Sequence, residues 1–358
     1  MKIAVLMSGG IDSSFAALYL KEKGYKVIGI SFLPLGKKEH KKDLVQIERI
    51  TKILSIPHFV FDIKDVFEKE IIKPFCQAFS QGETPNPCPF CNKKIKFGLL
   101  WNKAKRLGAD KIASGHYARI RKENNRYQLL KAKDKEKDQS YFLWTLSQRQ
   151  LSKIIFPLGD FKKNEIVSRI KNSPLSKLFS EKKEETYSES QDICFLKGKK
   201  ISEFLKDRIN PKPGIIFTKT GEEVGRHPGI CFFTIGQRTG LGIGARSPHQ
   251  KPFYVINIDK RRNAIIVGDE KDLYKKKAFI RNVNWISEKE PKLPLLVKAK
   301  IRYRHQPGSA VIRKKISKAP SVYYLEFEKT QRAITPGQHI VFYQNNLLLG
   351  GGIIDKTN

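Results

Sequence analysis

Two short stretches of this 358-residue chain have the residue types and spacing for chemistry. The first is TPNPCPFCNKKIKFG, residues 84 to 98, which sets Cys88 and Cys91 three apart in a chain with only five cysteines. A C-x-x-C pair can serve zinc, a disulfide, a redox couple, an iron-sulfur cluster or covalent catalysis, and the pair alone does not choose among them. The second is LMSGGIDSS, Leu6 to Ser14, which follows an apolar run and opens a helical pattern. Backbone N–H groups at such a strand-to-helix turn, with the helix dipole behind them, form an anion site. Gly9 and Gly10 allow the tight turn and the close phosphate approach that a Cβ would block. Ser8, Ser13 and Ser14 add hydroxyl donors, and Asp12 is placed to orient Mg2+ or the first-turn amides. The spacing is neither that of the P-loop nor that of the dinucleotide fingerprint, so a P-loop kinase and a dinucleotide enzyme both lose ground.

Something must hold these stretches in place. Residues 1 to about 200 alternate β-branched runs (KIAVLM, KVIGISFL, HFVFDI, DKIASG) with helical patterns, which predicts an α/β domain with a doubly wound parallel sheet covered on both faces. From 201 to 270, Gly- and Pro-punctuated runs such as GIIFTKTGEEVG and FFTIGQRTGLGIG predict a small β-rich domain. From 271 to 358, period-2 stretches such as VKAKIRYR and VYYLEFEK predict an antiparallel β-barrel.

Charge narrows the partners. Lys and Arg number 69 against 35 Asp and Glu, a formal +34, and such a field attracts polyanions, of which nucleic acid is the commonest in cytoplasm. The bland alternative is a lysine bias spread over a solvated surface. The length excludes a disulfide-stapled mini-protein. An odd cysteine count, no signal-peptide pattern and no long apolar run point to a cytoplasmic, reducing setting with free thiols and no membrane association. A single chain binding its target as a monomer is the default.

The loop SGGIDS resembles the pyrophosphate-binding loop of the PP-loop ATP pyrophosphatases, a fold of the adenine nucleotide alpha hydrolase type. Three further stretches, TPNPCPFCNKKIKFG, SGHYAR with KDQSYFL, and SESQDICFL followed by FTIGQRTGLGIG, make nearly the whole chain similar to the tRNA-specific 2-thiouridylases. The resemblance implies that ATP adenylates the C2 oxygen of a wobble uridine in the tRNA anticodon arm, and that sulfur replaces it to give 2-thiouridine, AMP and pyrophosphate. It implies Cys194 as the persulfide bearer and Cys91 as the second catalytic cysteine, joined by a transient disulfide. It implies ATP contacts at Leu6, Met7, Ser8, Gly9, Gly10, Ile11, Asp12 and Ser13, with Phe32 at the adenine and Gly115 at the nucleotide. Asn86, Pro87 and Cys88 fall where the family meets the target base; His116, Lys137, Asp138, Gln139, Arg302, Tyr303 and Gln338 fall where it touches tRNA. ATP with Mg2+ is the expected cosubstrate, and a cysteine desulfurase or a sulfur-relay protein the expected donor.

The chemistry is consistent with those roles. Oxide is a poor leaving group from an amide-like carbonyl, whereas AMP is a good one, and a persulfide is a better nucleophile than a thiol. Cys91 beside a helix start with Lys93, Lys94 and Lys96 is expected to favour its thiolate. Pro85 and Pro87 stiffen the loop that would receive a base drawn out of the stacked arm. Cys88 is a departure, since many members carry aspartate there. It stands open whether Cys88 is a bystander to a persulfide relay or joins Cys91 and Cys194 as ligands of a [4Fe-4S] cluster; zinc lacks a fourth ligand, and a lasting Cys88–Cys91 disulfide is disfavoured in reducing surroundings. Cys76 and Cys231 read as packing residues. The rival functions are another PP-loop ligase or amidotransferase, which would need neither the cysteines nor the charge, and a non-catalytic RNA-binding protein with a degenerate nucleotide loop.

Overall fold

The computed structural model describes residues 1–180, 193–243, 252–314 and 322–357. The start of the SESQDICFL stretch, up to Asp192, and the last residue of FTIGQRTGLGIG lie outside them.

Strands β1 (Lys2–Leu6), β2 (Lys26–Leu33), β3 (His58–Asp62) and β4 (Lys111–Ala113), a hairpin β5 (Ala118–Glu123) and β6 (Arg126–Lys131), and a short β7 (Ile154–Ile155) make up the first region. The parallel sheet has the order β3-β2-β1-β4-β7. Its strands read as continuous apolar runs because both faces are covered. On β1, Ile3 and Val5 pack with Ile11 and Phe15 of helix α1 (Ile11–Glu22) and with the helix Lys41–Ile53. Ala4 and Leu6 turn to the other face, against Phe67, Phe75, Ile95 and Leu100. The chain runs outward from β1 through β2 to β3, then returns to place β4 on the other side of β1. The direction of winding therefore reverses between β1 and β4, and the crevice at their carboxyl ends is where open α/β sheets bind ligands.

The middle region carries a four-stranded sheet of β8 (Gly214–Thr218), β9 (Glu223–His227), β10 (Tyr254–Asp259) and β11 (Ala264–Gly268), ordered β10-β11-β8-β9 around Ile216, Val255, Ile265 and Val267. The last region is a closed antiparallel barrel. Its strands β12 (Tyr274–Trp285), β13 (Leu295–Lys300), β14 (Gly308–Lys314), β15 (Tyr323–Arg332), β16 (His339–Gln344) and β17 (Leu347–Thr357) follow the order β12-β15-β14-β13-β16-β17, and β12 pairs back onto β17. Inward residues such as Ile280, Ile312, Leu325 and Phe342 fill it at period 2.

One feature departs from the sequence reading. The hairpin β5–β6 leaves the parallel sheet and joins the barrel, with Leu129 and Leu130 paired to Leu348 and Leu347 of β17. β17 extends beyond its partner β12 at that end, and the hairpin covers the exposed edge. The first and last regions are thus welded through one sheet.

Candidate active site

The loop after β1 turns at Gly9, with φ +80°, and Gly10 caps α1 without a side-chain cap, leaving the first-turn amides for a ligand. Its hydroxyls are organised inward. The Ser13 Oγ accepts from the Ser8 amide at 3.2 Å and donates to the Gly10 carbonyl at 3.0 Å, and Ser14 Oγ donates to the same carbonyl at 2.9 Å. Asp12 is tied into the protein through one carboxylate oxygen. Its Oδ1 accepts from Lys163 Nζ and from Tyr117 Oη, both at 2.7 Å. Lys163 opens a helix (Lys163–Lys171) that no motif drew attention to, so it brings a cation to the anion site from a distant part of the chain.

Gly115, on the loop after β4, lies so close to this turn that a Cβ on it would sit 3.0 Å from the backbone of Asp12 and Ser13. The next residue, His116, holds Ser114 Oγ at 2.8 Å through Nδ1 and packs its ring against Phe97 and Phe156 at 6.0 and 5.9 Å. Burial in that aromatic setting holds its pKa well below the ordinary value, so the imidazole is neutral. Gln139 fixes the loop by accepting the Tyr117 amide at 3.0 Å. Asp138 is buried rather than presented to a partner: its carboxylate accepts from the amides of Ala132 and Ser140 and from Ser140 Oγ. Lys137 is half-buried, its amide donating to Asp134.

Phe97 leads directly to the cysteines. A short α turn, Cys88–Phe90, passes into a π-helical segment, Cys91–Leu99, whose Ile95 and Phe97 anchor it in the core. The i→i+5 bonding of a π-helix stacks the fifth residue near the first, where winding at 3.6 residues per turn would swing it away. Lys96 is thereby brought to the side of Cys91. Gln150 steadies the segment by donating to the Lys93 and Phe97 carbonyls at 2.8 and 3.1 Å.

Cys88, Cys91 and Cys194 feel one another's charge, and Lys96 is the cation common to all three and to His116. Cys194 is exposed on a 3-10 turn (Cys194–Leu196) anchored by Phe195 against Phe75 and Phe67, although protein crowds its sulfur enough to raise the thiol. All five cysteines are free thiols, and Cys76 and Cys231 are buried in packing.

The expected activation of Cys91 is not what the fold provides. The helix begins at Cys88, so the Cys91 amide is already bonded to the Pro87 carbonyl at 2.9 Å. Lys94 turns away to Glu70 at 2.8 Å. Burial pushes the Cys91 thiol up to about 12 and Cys88 to about 11, with Lys96 opposing and the neighbouring thiols adding to the rise. Resting Cys91 is a protonated thiol. Among the described residues no group of three or more His, Cys, Asp or Glu side chains is gathered to hold a metal ion.

Before Cys88 the chain is held by the other two regions. Asn86 Oδ1 accepts the Cys88 amide at 3.0 Å, and the Asn86 carbonyl accepts from His339 Nε2 at 2.8 Å. Pro87 is buried beside it, and Phe32 is half-buried at the end of β2, beside the other sheet face. Arg302 donates to the Arg332 carbonyl at 2.6 Å, and Tyr303 packs at a 40° tilt against Phe142 with ring centres 4.5 Å apart. Lys300 lies over the half-buried Tyr303, and Lys131 over the fully buried Tyr343, where the 137–143 stretch meets the barrel. Gln338 is half-buried in the turn that precedes β16. The motifs did not reveal Lys163 or His339, which lie outside any recognisable spacing; Lys96 was one of three lysines singled out beside Cys91, and only the SGHYAR stretch hinted at Tyr117.

Residues 1–198 match the family described as the tRNA methyl transferase HUP domain, 202–269 the tRNA methyl transferase PRC-barrel domain, and 275–354 the aminomethyltransferase beta-barrel domain. The tRNA-specific 2-thiouridylase MnmA of Syntrophomonas wolfei is 42% identical over 356 residues, covering 99% of this chain and 100% of that relative. The protein of the same name from Acaryochloris marina is 43% identical over 99% of both chains, and that from Moorella thermoacetica 41% over 99% of both. With similarity of that depth running from end to end, the chain belongs to the tRNA-specific 2-thiouridylase family.

Proposed function

We infer that this protein is a tRNA-uridine 2-sulfurtransferase. The observation that carries the reading is the continuous path from the phosphate loop through Gly115 and His116 to Lys96, Cys91 and Cys194. A nucleotide and two thiols far apart in sequence are needed in one place only if an ATP-activated carbon meets a sulfur nucleophile.

ATP, as its Mg2+ complex, is held by the amides of residues 9–13, with Lys163 beside them to meet phosphate charge. The uracil O2 attacks the α-phosphorus, the bond to pyrophosphate breaks, and C2 becomes attached to an AMP leaving group. The terminal sulfur of a Cys194 persulfide then attacks C2 and AMP departs with the former O2. Cys91 attacks Cys194 Sγ, the sulfur–sulfur bond breaks, and its electron pair returns to the sulfur on C2 as the thiocarbonyl. A Cys91–Cys194 disulfide remains, which an external thiol reduces. The exposure of Cys194 suits loading by a cysteine desulfurase or a sulfur-relay protein, and the burial of Cys91 suits a partner that waits for it. Asn86, Pro87 and Cys88 form the wall that receives the base, while Lys137, Arg302, Tyr303 and Gln338 meet the tRNA, to which one chain binds as a monomer. Cys88 takes no step in this scheme.

Incubation with ATP, a persulfide donor and unmodified tRNA tests the reading. Wild-type protein is expected to form 2-thiouridine with AMP and pyrophosphate, and Cys91→Ser and Cys194→Ser to form none. No product from wild type, or undiminished product from both variants, refutes it.

A further inference from the structure

The loop that carries Asn86 and Pro87 is built from the first region but held by the other two. Glu83 receives a two-pronged bond from Arg281 of β12, with Arg281 Nη2 at 2.9 and 2.8 Å from its carboxylate oxygens. The Thr84 amide donates to the Pro336 carbonyl at 3.0 Å, and Thr84 Oγ1 donates to Thr234 Oγ1 of the middle region at 3.1 Å. His339 Nε2 donates to the Asn86 carbonyl, which fixes its tautomer with the proton on Nε2. Its ring is clamped between Phe90 and Trp144, with centres 5.6 and 5.4 Å away, and its own carbonyl accepts from Tyr141 Oη at 2.9 Å. Fit is tight throughout: Gly337, with φ +87°, stands where a Cβ would come 2.7 Å from Glu83 Cβ and 2.8 Å from the Thr84 amide.

A free loop of this kind would sample many conformations, and two prolines alone stiffen only its local backbone. Four bonds from the barrel and the middle region remove that freedom, and they end two residues before the cysteine turn begins. The turn that supplies two of them, residues 335–339, also contains Gln338.

We propose that Arg281 and His339 are positioning residues for the target base: the barrel strap at 83–86 sets the wall of the base site. This deepens the thiolation reading and rests on it for the identity of the base.

The test uses the full chain. Single-turnover thiolation with saturating tRNA is measured for Arg281→Ala, Glu83→Ala, the exchange Arg281→Glu with Glu83→Arg, His339→Leu and His339→Gln, the last of which keeps a donor. A base wall displaced by about an ångström costs on the order of a hundredfold in rate. Arg281→Ala and His339→Leu are expected to slow the step roughly tenfold to a hundredfold with tRNA and ATP dissociation constants unchanged within about twofold, while the exchange and His339→Gln recover most of the rate. A parallel weakening of tRNA binding at an unchanged saturated rate, or no recovery in His339→Gln, overturns the proposal; the exchange also sets residue 281 beside Asp355, which Arg281 faces at 3.7 Å, so it supports the strap only by recovering. Amide hydrogen exchange at Thr84 reads the strap without reference to thiolation: it should accelerate in Arg281→Ala and return in the exchange. If the wild type makes no thiouridine yet Thr84 behaves so, the function fails and the strap stands; unaltered exchange sinks the strap.

Discussion

The reactivity of Cys91 offers the sharpest test of the site. Burial raises its thiol to about 12, well above an ordinary cysteine near 8.5. At pH 7.5 a free cysteine is thiolate to about one part in ten, whereas a thiol at about 12 is so to about three parts in a hundred thousand, a gap of roughly 3,000-fold. A more basic thiolate is more nucleophilic, with a Brønsted slope of about 0.4–0.5, which recovers a factor of roughly forty over that span. The net expectation is alkylation of Cys91 by iodoacetamide about a hundredfold slower than free cysteine at pH 7.5, rising close to tenfold per pH unit up to pH 10. Lys96 opposes the rise, so Lys96→Gln should raise the thiol further; one unit would slow alkylation by another threefold after the same correction, while Lys96→Arg should retain the wild-type rate. Peptide mass mapping over a pH series separates Cys91 from the exposed Cys194. Cys91 alkylation as fast as free cysteine at pH 7.5, or a plateau in its rate below pH 9, would refute the reasoning. If the expected profile is found, Cys91 must be deprotonated during turnover, after Cys194 has been loaded.

Three further outcomes follow from the surroundings of Lys163, Gly115 and His339. Lys163→Met removes the cation 2.7 Å from Asp12 and should reduce ATP-dependent pyrophosphate release with bound tRNA about a hundredfold; a change under threefold would show that Lys163 is only a partner of Asp12. Gly115→Ala places a Cβ 3.0 Å from immovable backbone of Asp12 and Ser13, so the KM for ATP should rise about tenfold, and an unchanged KM would mean the two loops are free to separate. His339 is buried and lowered to about 4, so the unfolded chain binds a proton that the folded chain refuses as pH falls from about 6.5 to 4. The stability associated with neutral His339 is fully present above pH 6.5 and lost across that window, up to about 3 kcal/mol, and His339→Gln should flatten the acid limb of a denaturation series. An acid limb of equal slope in the variant would assign the loss to other groups.

Several features of this protein were legible without coordinates. The apolar runs of β1 and β2 read as buried parallel strands because each is covered on both faces, and the period-2 pattern of the last third read as a barrel because its strands face a core on one side only. Gly9 marked the turn after β1, because a φ of +80° favours glycine, and the helix that follows starts at Gly10 with no side-chain cap. The cysteines were conspicuous by scarcity. What the sequence does not carry is the set of non-local partners. Nothing in the order of residues says that Lys163 meets Asp12, that His339 holds Asn86, or that the hairpin at 118–131 leaves its own sheet for the barrel. The state of Cys91 belongs to the same class. Nearby lysines in the chain predicted a thiolate, but a pKa answers to solvent and distance, and only the packed structure shows Lys94 turned away to Glu70 and the sulfur enclosed. Sequence alone determined the local conformations and the reactive atoms available; tertiary structure decided which charges those atoms face and how much water remains around them, because burial and through-space charge depend on contacts between residues far apart in the chain.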